Sequence, residues 1–414
     1  MVVGFFAIVR TAAIVAIFAA ATAGRARAAC PVAAGQMAAR GAVPSTPAHL
    51  TVPAGFRIDT IAQIPGAREL AALPNGDLLA GTKGREVYVV PEAEAPVPGR
   101  PQVYARLPDD LAAGVAFSAR RCRIFVATEH GVYASAYAIG QRSAGTLRRI
   151  FSVRTGDVAP HSDGDVHVTT SVAFDDRTDR LYVAVGSSCN ACTEIDPTRA
   201  AIFEMNADGT HVVKRATRIR NAIALTVDPQ RGDLWAGDAG QDDLPFGHPY
   251  EFLDDVSGHQ GIADYGWPQC EEDRVAYVAG SNCTKTVVPM AAIPAYSTII
   301  GAAFYPADLR GAHVFPARYR GALFAAAHGS WHTTPNGTTY AALPQVVVFP
   351  MRDGRPSVAV DWHDAHRQWQ PFVGGFQQNQ RDRSGRPTGL AIGPDGSLFV
   401  ADDSAGAVYR IRPR

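Results

Sequence analysis

Four clusters of residues in this chain have types and spacings that could do chemistry. His167 opens "HVTTSVAF" (167–174), one residue beyond the polar loop "APHSDGD" (159–165). An imidazole placed between a polar loop and an apolar strand is suited to general-base work near neutral pH. Arg220 and Asn221 lie in "RIRNAIAL" (218–225). The guanidinium offers a planar fork to carboxylates or phosphates, and the amide adds a directed donor. "GDAGQDD" (237–243), with Glu251 beyond it, is an acidic, glycine-containing loop. Such loops bind hard cations through carboxylates and backbone carbonyls, although this spacing is not that of an EF-hand. "HGSW" (328–331) and "GRPTGL" (385–390) place His328, Trp331 and Arg386 beside apolar strands. A Trp near an Arg can stack on a flat ligand. Each cluster also has a plain structural reading: a satisfied polar histidine, a surface charge with a turn asparagine, a solvated acidic loop, or packing between strands.

The cysteines follow from the compartment. Residues 1–28 read as a targeting segment, with Arg10, an apolar run from Thr11 to Ala23 too short for a comfortable membrane span, and small residues at Ala26 and Ala28. The mature domain is then 29–414, exported to the periplasm or secreted. Six cysteines in an oxidising compartment favour disulfides. Cys189 can bridge Cys192, Cys270 can bridge Cys283, and Cys30 with Cys122 can tie the mature N-terminus to the body. A redox or metal role for Cys-Asn-Ala-Cys is the alternative, but a redox pair wants a helix N-terminus after its strand. Here "TEIDPTRAA" follows.

The elements that must position these residues repeat along the chain. A tight turn followed by an apolar strand occurs in "LPNGDLLAGT" (73–82), "FSARRCRIFVATEHGVYAS" (117–135), "FDDRTDRLYVAVGS" (174–187), "DPQRGDLWAGDAG" (228–240), "ARYRGALFAAAHGS" (317–330) and "GPDGSLFVADDSAGAVYRI" (393–411). Six turn-and-strand units at blade-like spacing predict an all-β, six-bladed β-propeller rather than a pair of packed sheets. The opening stretch 52–73 supplies a strand that completes the last blade and closes the ring, removing sheet edges. The fourth and fifth units are separated by a long insertion (242–283), and insertions of this kind map to a binding face. With 39 basic and 39 acidic residues the formal charge is zero, so the chain carries no electrostatic footprint for nucleic acid.

Together these fragments resemble the soluble quinoprotein glucose/sorbosone dehydrogenase family. The resemblance is carried in order by "VPAGFRI" (52–58), "HVTTSVAF", "LYVAVGSSCNAC" (181–192), "RIRNAIAL", "LWAGDAGQDD" (234–243), "ADYGWPQC" (263–270), "YRGALFAAAHGSW" (319–331) and "GRPTGLAIGPDGSLFVADD" (385–403). The sorbosone-dehydrogenase-like branch is the most similar, on the Cys-Asn-Ala-Cys and His-Gly-Ser-Trp segments. The resemblance implies a propeller that binds pyrroloquinoline quinone (PQQ) and Ca2+ on one face and oxidises a sugar, aldehyde or alcohol, passing electrons to an external acceptor. It implies that His167 is the base and that Arg220 lies against the quinone oxygens, with Asn221 beside it. The carbonyls of Gly240 and Gln241 would ligate calcium, Arg386 would meet a cofactor carboxylate, and Trp331 would form a stacking or substrate wall. Two other functions fit a propeller: a calcium-dependent hydrolase of the lactonase type, and a non-catalytic ligand-binding module. The oligomeric state and the identity of the substrate are not set by these residues.

Overall fold

The computed structural model describes residues 1, 30–34, 38–155, 166–242, 244, 247–330, 342–379 and 382–414. The targeting segment proposed for 1–28 falls almost wholly outside them, as do His161, Asp163 and Trp331. The described chain is all-β, with only two short 3-10 turns, at Val256–Gly258 and Ala317–Tyr319. Six sheets of four or five strands form six blades of a β-propeller.

The inner strands are Ala67–Ala72, Gly114–Ser118, Thr170–Asp175, Ala224–Val227, Ile299–Phe304 and Pro387–Ile392, for blades 1 to 6. Each pairs antiparallel with a second strand: Leu78–Thr82, Arg123–Thr128, Arg180–Val185, Leu234–Asp238, Leu323–Ala327 and Leu398–Asp402. The six sequence repeats are the turns and second strands of these six blades. At the turns, Gly76, Gly232 and Gly396 take positive φ (81°, 79° and 94°), and Asp179 does so at 67°. Gly adopts that conformation without a Cβ clash, and Asp tolerates it better than most residues.

The opening stretch divides between two blades. Phe56–Gln63 pairs antiparallel with Ala407–Pro413 as the outer strand of blade 6, while Ala67–Ala72 begins blade 1. The first strand among the described residues thus closes the ring, as expected from the sequence.

Packing explains why the second strands are continuously apolar. Six large apolar clusters each lie between two neighbouring blades. Successive residues of a strand point to opposite faces, so one strand feeds two clusters. In blade 2, Ile124 and Val126 join the blade 1–2 cluster, while Phe125 and Ala127 join the blade 2–3 cluster.

The inner strands surround an axial cavity of about 310 Å3 lined from all six blades. Their starts lie at one end of it. The Glu69 amide donates to Ala113 O at 3.2 Å. A Cβ on Gly114 would meet Thr170 O, one on Gly301 would meet Thr388 O, and one on Gly389 would meet Arg68 O. The ends of the second strands arrive at this same end, because they run antiparallel to the inner ones. The insertion reaches it too, as a hairpin of Cys270–Glu271 with Val275–Ala276. The structure contains all three expected disulfides, Cys30–Cys122, Cys189–Cys192 and Cys270–Cys283. Among the described residues, no helix is long and apolar enough to cross a membrane.

Candidate active site

His167 stands three residues before the inner strand of blade 3, at the channel mouth, and is half-buried. Its Nδ1 lies 2.7 Å from Ser187 Oγ, and that hydroxyl donates to Cys189 O at 2.7 Å. A hydroxyl has one proton to give. Ser187 therefore accepts from Nδ1–H, which leaves the lone pair on Nε2. Arg199, buried to 2 % exposure, donates to the carbonyls of His167 (2.9 Å), Gly186 (2.8 Å) and Ser187 (3.0 Å). Burial, and then the charges of Arg220 and Arg199, hold the imidazole well below its ordinary pKa, so it is neutral. Gly186 lets two walls of the site meet. A Cβ there would sit 2.7 Å from both His167 Cβ and Asn221 Oδ1.

Arg220 and Asn221 precede the inner strand of blade 4 and are 3 % and 5 % exposed. Arg220 donates from Nε to Asn190 O (3.0 Å), from Nη1 to Ala239 O (2.9 Å), and from Nη2 to Asn190 Oδ1 (2.8 Å) and Asp242 Oδ2 (3.2 Å). The Asn221 amide donates to Asp238 Oδ1 at 2.6 Å. Its side-chain Oδ1 is buried and has no hydrogen-bond partner among the described residues. An orphaned buried acceptor is costly, and a donor on a bound ligand would satisfy it.

Gly240 and Gln241 follow the second strand of blade 4. Among the described residues no hydrogen bond ends on either carbonyl. Gln241 Nε2 donates to Glu271 Oε1 (2.7 Å) and Pro268 O (3.2 Å), so the insertion hairpin supports this loop. Burial raises Asp238 to about 7, and Glu251 and Glu271 to about 8. Asp238 adds repulsion to both glutamates. A cation held by these carbonyls would relieve that repulsion, so the donor set fits calcium.

Arg386 lies at the start of the inner strand of blade 6, on the same face. It donates from Nε to His328 O (3.0 Å) and from Nη2 to Gly329 O (2.6 Å). Burial, and then Arg383, lower its pKa to about 10. His328 is not a free ligand-facing group: its Nε2 lies 3.0 Å from Asp403 Oδ1. Burial lowers His328 to about 3, so it donates as a neutral imidazole. Asp403 also meets Arg68 Nη1 and Lys83 Nζ, each at 2.9 Å. Burial alone would raise Asp403, but His328, Arg68 and Lys83 hold it well below the usual range. Arg68 and Lys83 pair with this one carboxylate. The Arg386 guanidinium lies near it and Asp402 while bonding, among the described residues, only carbonyls, so three cations share two carboxyls, a surplus suited to an anionic ligand.

The described residues to which the resemblance gives a role, His167, Arg220, Asn221, Gly240, Gln241 and Arg386, lie on the face where the inner strands begin. Sequence reading missed Ser187, Asn190, Arg199, Arg68, Lys83 and Asp403. Of these, Ser187, Asn190, Arg199 and Asp403 sat inside quoted segments, and for Asn190 the cysteines on either side of it were the available signal.

No known protein-family profile matches the chain. An uncharacterised protein of Borreliella burgdorferi is 25% identical over 258 residues, 61% of this chain and 62% of that relative, less than two thirds of its length. The PQQ domain of pyranose dehydrogenase from Coprinopsis cinerea, in its holo form, superposes with a TM-score of 0.72 at 17% identity, covering 89% of this chain and 98% of that one. A calcium structure of the family AA12 carbohydrate-active enzyme of Trichoderma reesei gives 0.70 at 19% identity, with the same coverage of 89% and 98%. The soluble aldose sugar dehydrogenase of Escherichia coli, in its apo form, gives 0.59 at 17% identity over 87% of this chain and 100% of that one. The chain, a six-bladed β-propeller, therefore shares its fold with these three structures.

Proposed function

We propose that this chain is an exported quinoprotein dehydrogenase that oxidises a sugar, aldehyde or alcohol and passes the electrons to an external acceptor. One observation carries the reading. A neutral imidazole with a free Nε2 stands beside an orphaned buried amide oxygen and a buried guanidinium, at the mouth of a propeller. When bound, PQQ supplies the hydride acceptor, and its calcium acts as a Lewis acid on the quinone carbonyl. His167 Nε2 takes the proton of the substrate hydroxyl; for an aldehyde, the hydrate provides that hydroxyl. Arg220 places fixed positive charge where negative charge develops on reduction. Asn221 Oδ1 accepts from the cofactor, and the Gly240 and Gln241 carbonyls hold the cation. Arg386, helped by Arg68 and Lys83, attracts cofactor carboxylates, with Trp331 as a stacking or substrate wall.

A lactonase-type site would want carboxylates from several blades around the axis. Asp238, Glu251 and Glu271 all belong to blade 4 and its insertion, and of the carboxylates from other blades Asp403 is already ion-paired with Arg68 and Lys83 while Glu69 lines the axial cavity. Three disulfides support export, since such bonds persist in oxidising compartments.

The test is reconstitution of apoprotein with PQQ and calcium, followed by dye reduction over a panel of sugars, aldehydes and alcohols. Substrate-dependent reduction with a change in quinone absorbance is expected. Loss of a general base costs about 10²–10⁴-fold, so His167→Ala should lose that much kcat with its thermal unfolding unchanged. No turnover and no absorbance change across the panel would overturn the proposal.

A further inference from the structure

The loop closed by Cys189–Cys192 holds more hydrogen bonds to the site than a mere staple needs. Its Asn190 carbonyl accepts from Arg220 Nε (3.0 Å) and from Trp267 Nε1 (3.1 Å). The Asn190 side-chain oxygen accepts from Arg220 Nη2 and from the Asp242 amide, both at 2.8 Å. Its Nδ2 donates to Asp242 O at 3.0 Å. The paired bonds to one backbone unit fix which way the amide faces, because Oδ1 must meet the N–H and Nδ2 the carbonyl. Both cysteines are buried against Trp267 and Ala200, so the loop is anchored on the insertion as well as on its own blade. Nothing in the bridge is positioned for metal or thiol chemistry while it is closed: Cys189, Cys192 and Glu194 lie together, but both sulfurs are spent in the disulfide.

We infer that Asn190, locked by the Cys189–Cys192 bridge, is the positioning residue that aims the Arg220 guanidinium and joins it to the Gly240–Asp242 segment. The proposed quinone contact and the proposed cation loop are thereby built as one unit. Arg220 keeps two fixed acceptors on Asn190, spaced to match its Nε and Nη2. Asn190→Ala leaves the backbone carbonyl on Nε but takes the Oδ1 acceptor from Nη2 and both side-chain bonds from the Asp242 backbone. Among the described residues Nη2 then keeps only the Asp242 carboxylate, and the guanidinium can pivot about its Nε contact. The inference rests on reading Arg220 as a cofactor contact, but the geometry it asserts exists in the apoprotein.

The test uses apoprotein Asn190→Ala, the double variant Cys189→Ser/Cys192→Ser, and wild type. The Arg220 guanidinium N–H signals are followed by nitrogen–proton NMR and assigned by their absence in Arg220→Lys. In wild type these protons should exchange slowly, and calcium alone should shift them through Asp242 and Asn190. Both variants should speed their exchange at least tenfold and abolish the calcium response. Calorimetry should show quinone affinity falling at least tenfold in parallel. Unchanged exchange and an unchanged calcium shift in a folded Asn190→Ala protein would overturn the inference, whatever the double variant does. If wild type binds no quinone, the proposed function falls, while the NMR arm still decides whether Asn190 positions Arg220.

Discussion

At the scale of single residues, the histidine depends on a neighbour that does no chemistry of its own. Ser187 passes the Nδ1 proton contact of His167 on to Cys189 O, and this chain of bonds decides which nitrogen is free. Ser187→Ala removes the acceptor, so the imidazole can protonate either nitrogen. A net hydrogen bond contributes about 0.5–1.5 kcal/mol, which corresponds to roughly a two- to tenfold loss of kcat. Ser187→Thr keeps a hydroxyl and should recover most of it. Nitrogen NMR of the apoprotein imidazole should show Nδ1–H in wild type and a tautomer mixture in Ser187→Ala. A wild-type imidazole protonated on Nε2 would contradict the assignment. His167 was legible in the sequence because a polar loop gives way there to an apolar strand. Ser187 was not, because its role exists only where two strand ends 20 residues apart meet. Arg68, Lys83 and Asp403 were hidden for the same reason, since Arg68 and Asp403 are separated by 335 positions.

At the scale of elements, turns and second strands were readable and outer strands were not. A second strand packs on both sides and so reads as unbroken apolar sequence. An outer strand such as Val213–Thr217 is mostly exposed or half-buried and carries Lys214 and Arg215, so no pattern marks it. The closing strand Phe56–Gln63 is an exception, because its apolar residues seal the seam between blades 5 and 6. Phe56 meets Phe315, Tyr319 and Phe372 edge-on, with ring centroids 4.7, 5.5 and 5.3 Å away. Phe56→Ala should cost about 3–5 kcal/mol, as buried Phe truncations do. The loss should be local before it is global. Hydrogen exchange should speed first in Ala407–Pro413, the strand paired with Phe56–Gln63, and only later in blades 2 and 3. Uniform acceleration across all blades would mean that the ring does not open at this seam.

At the scale of the whole molecule, the fold buries ionisable groups whose preferred states oppose one another as pH changes. Glu69 lines the axial cavity, and burial raises it from 4.5 to about 8, with Arg68 opposing. Glu251 is likewise raised from 4.5 to about 8. The folded protein binds these protons more tightly than the unfolded chain does. Their contribution is therefore lost as pH rises from 4.5 to about 8. His328 moves the other way, from 6.5 to about 3. The folded protein keeps it neutral, so its contribution is lost as pH falls from 6.5 to about 3. Between 4.5 and 6.5 the two trends oppose each other, while from 6.5 to 8 only the carboxyl trend acts. A tenfold difference in proton affinity between folded and unfolded chain corresponds to about 1.36 kcal/mol, and stability is linked to pH through the difference in bound protons. The apoprotein should therefore lose several degrees of Tm between pH 6.5 and 8.5. Glu69→Gln with Glu251→Gln mimics two of the protonated carboxyls, so the double variant should lose clearly less Tm over that range, the remainder belonging to Asp238 and Glu271, which burial raises to about 7 and about 8. Scanning calorimetry of both proteins decides it: parallel curves would show that these two carboxyls enter the folded state already ionised.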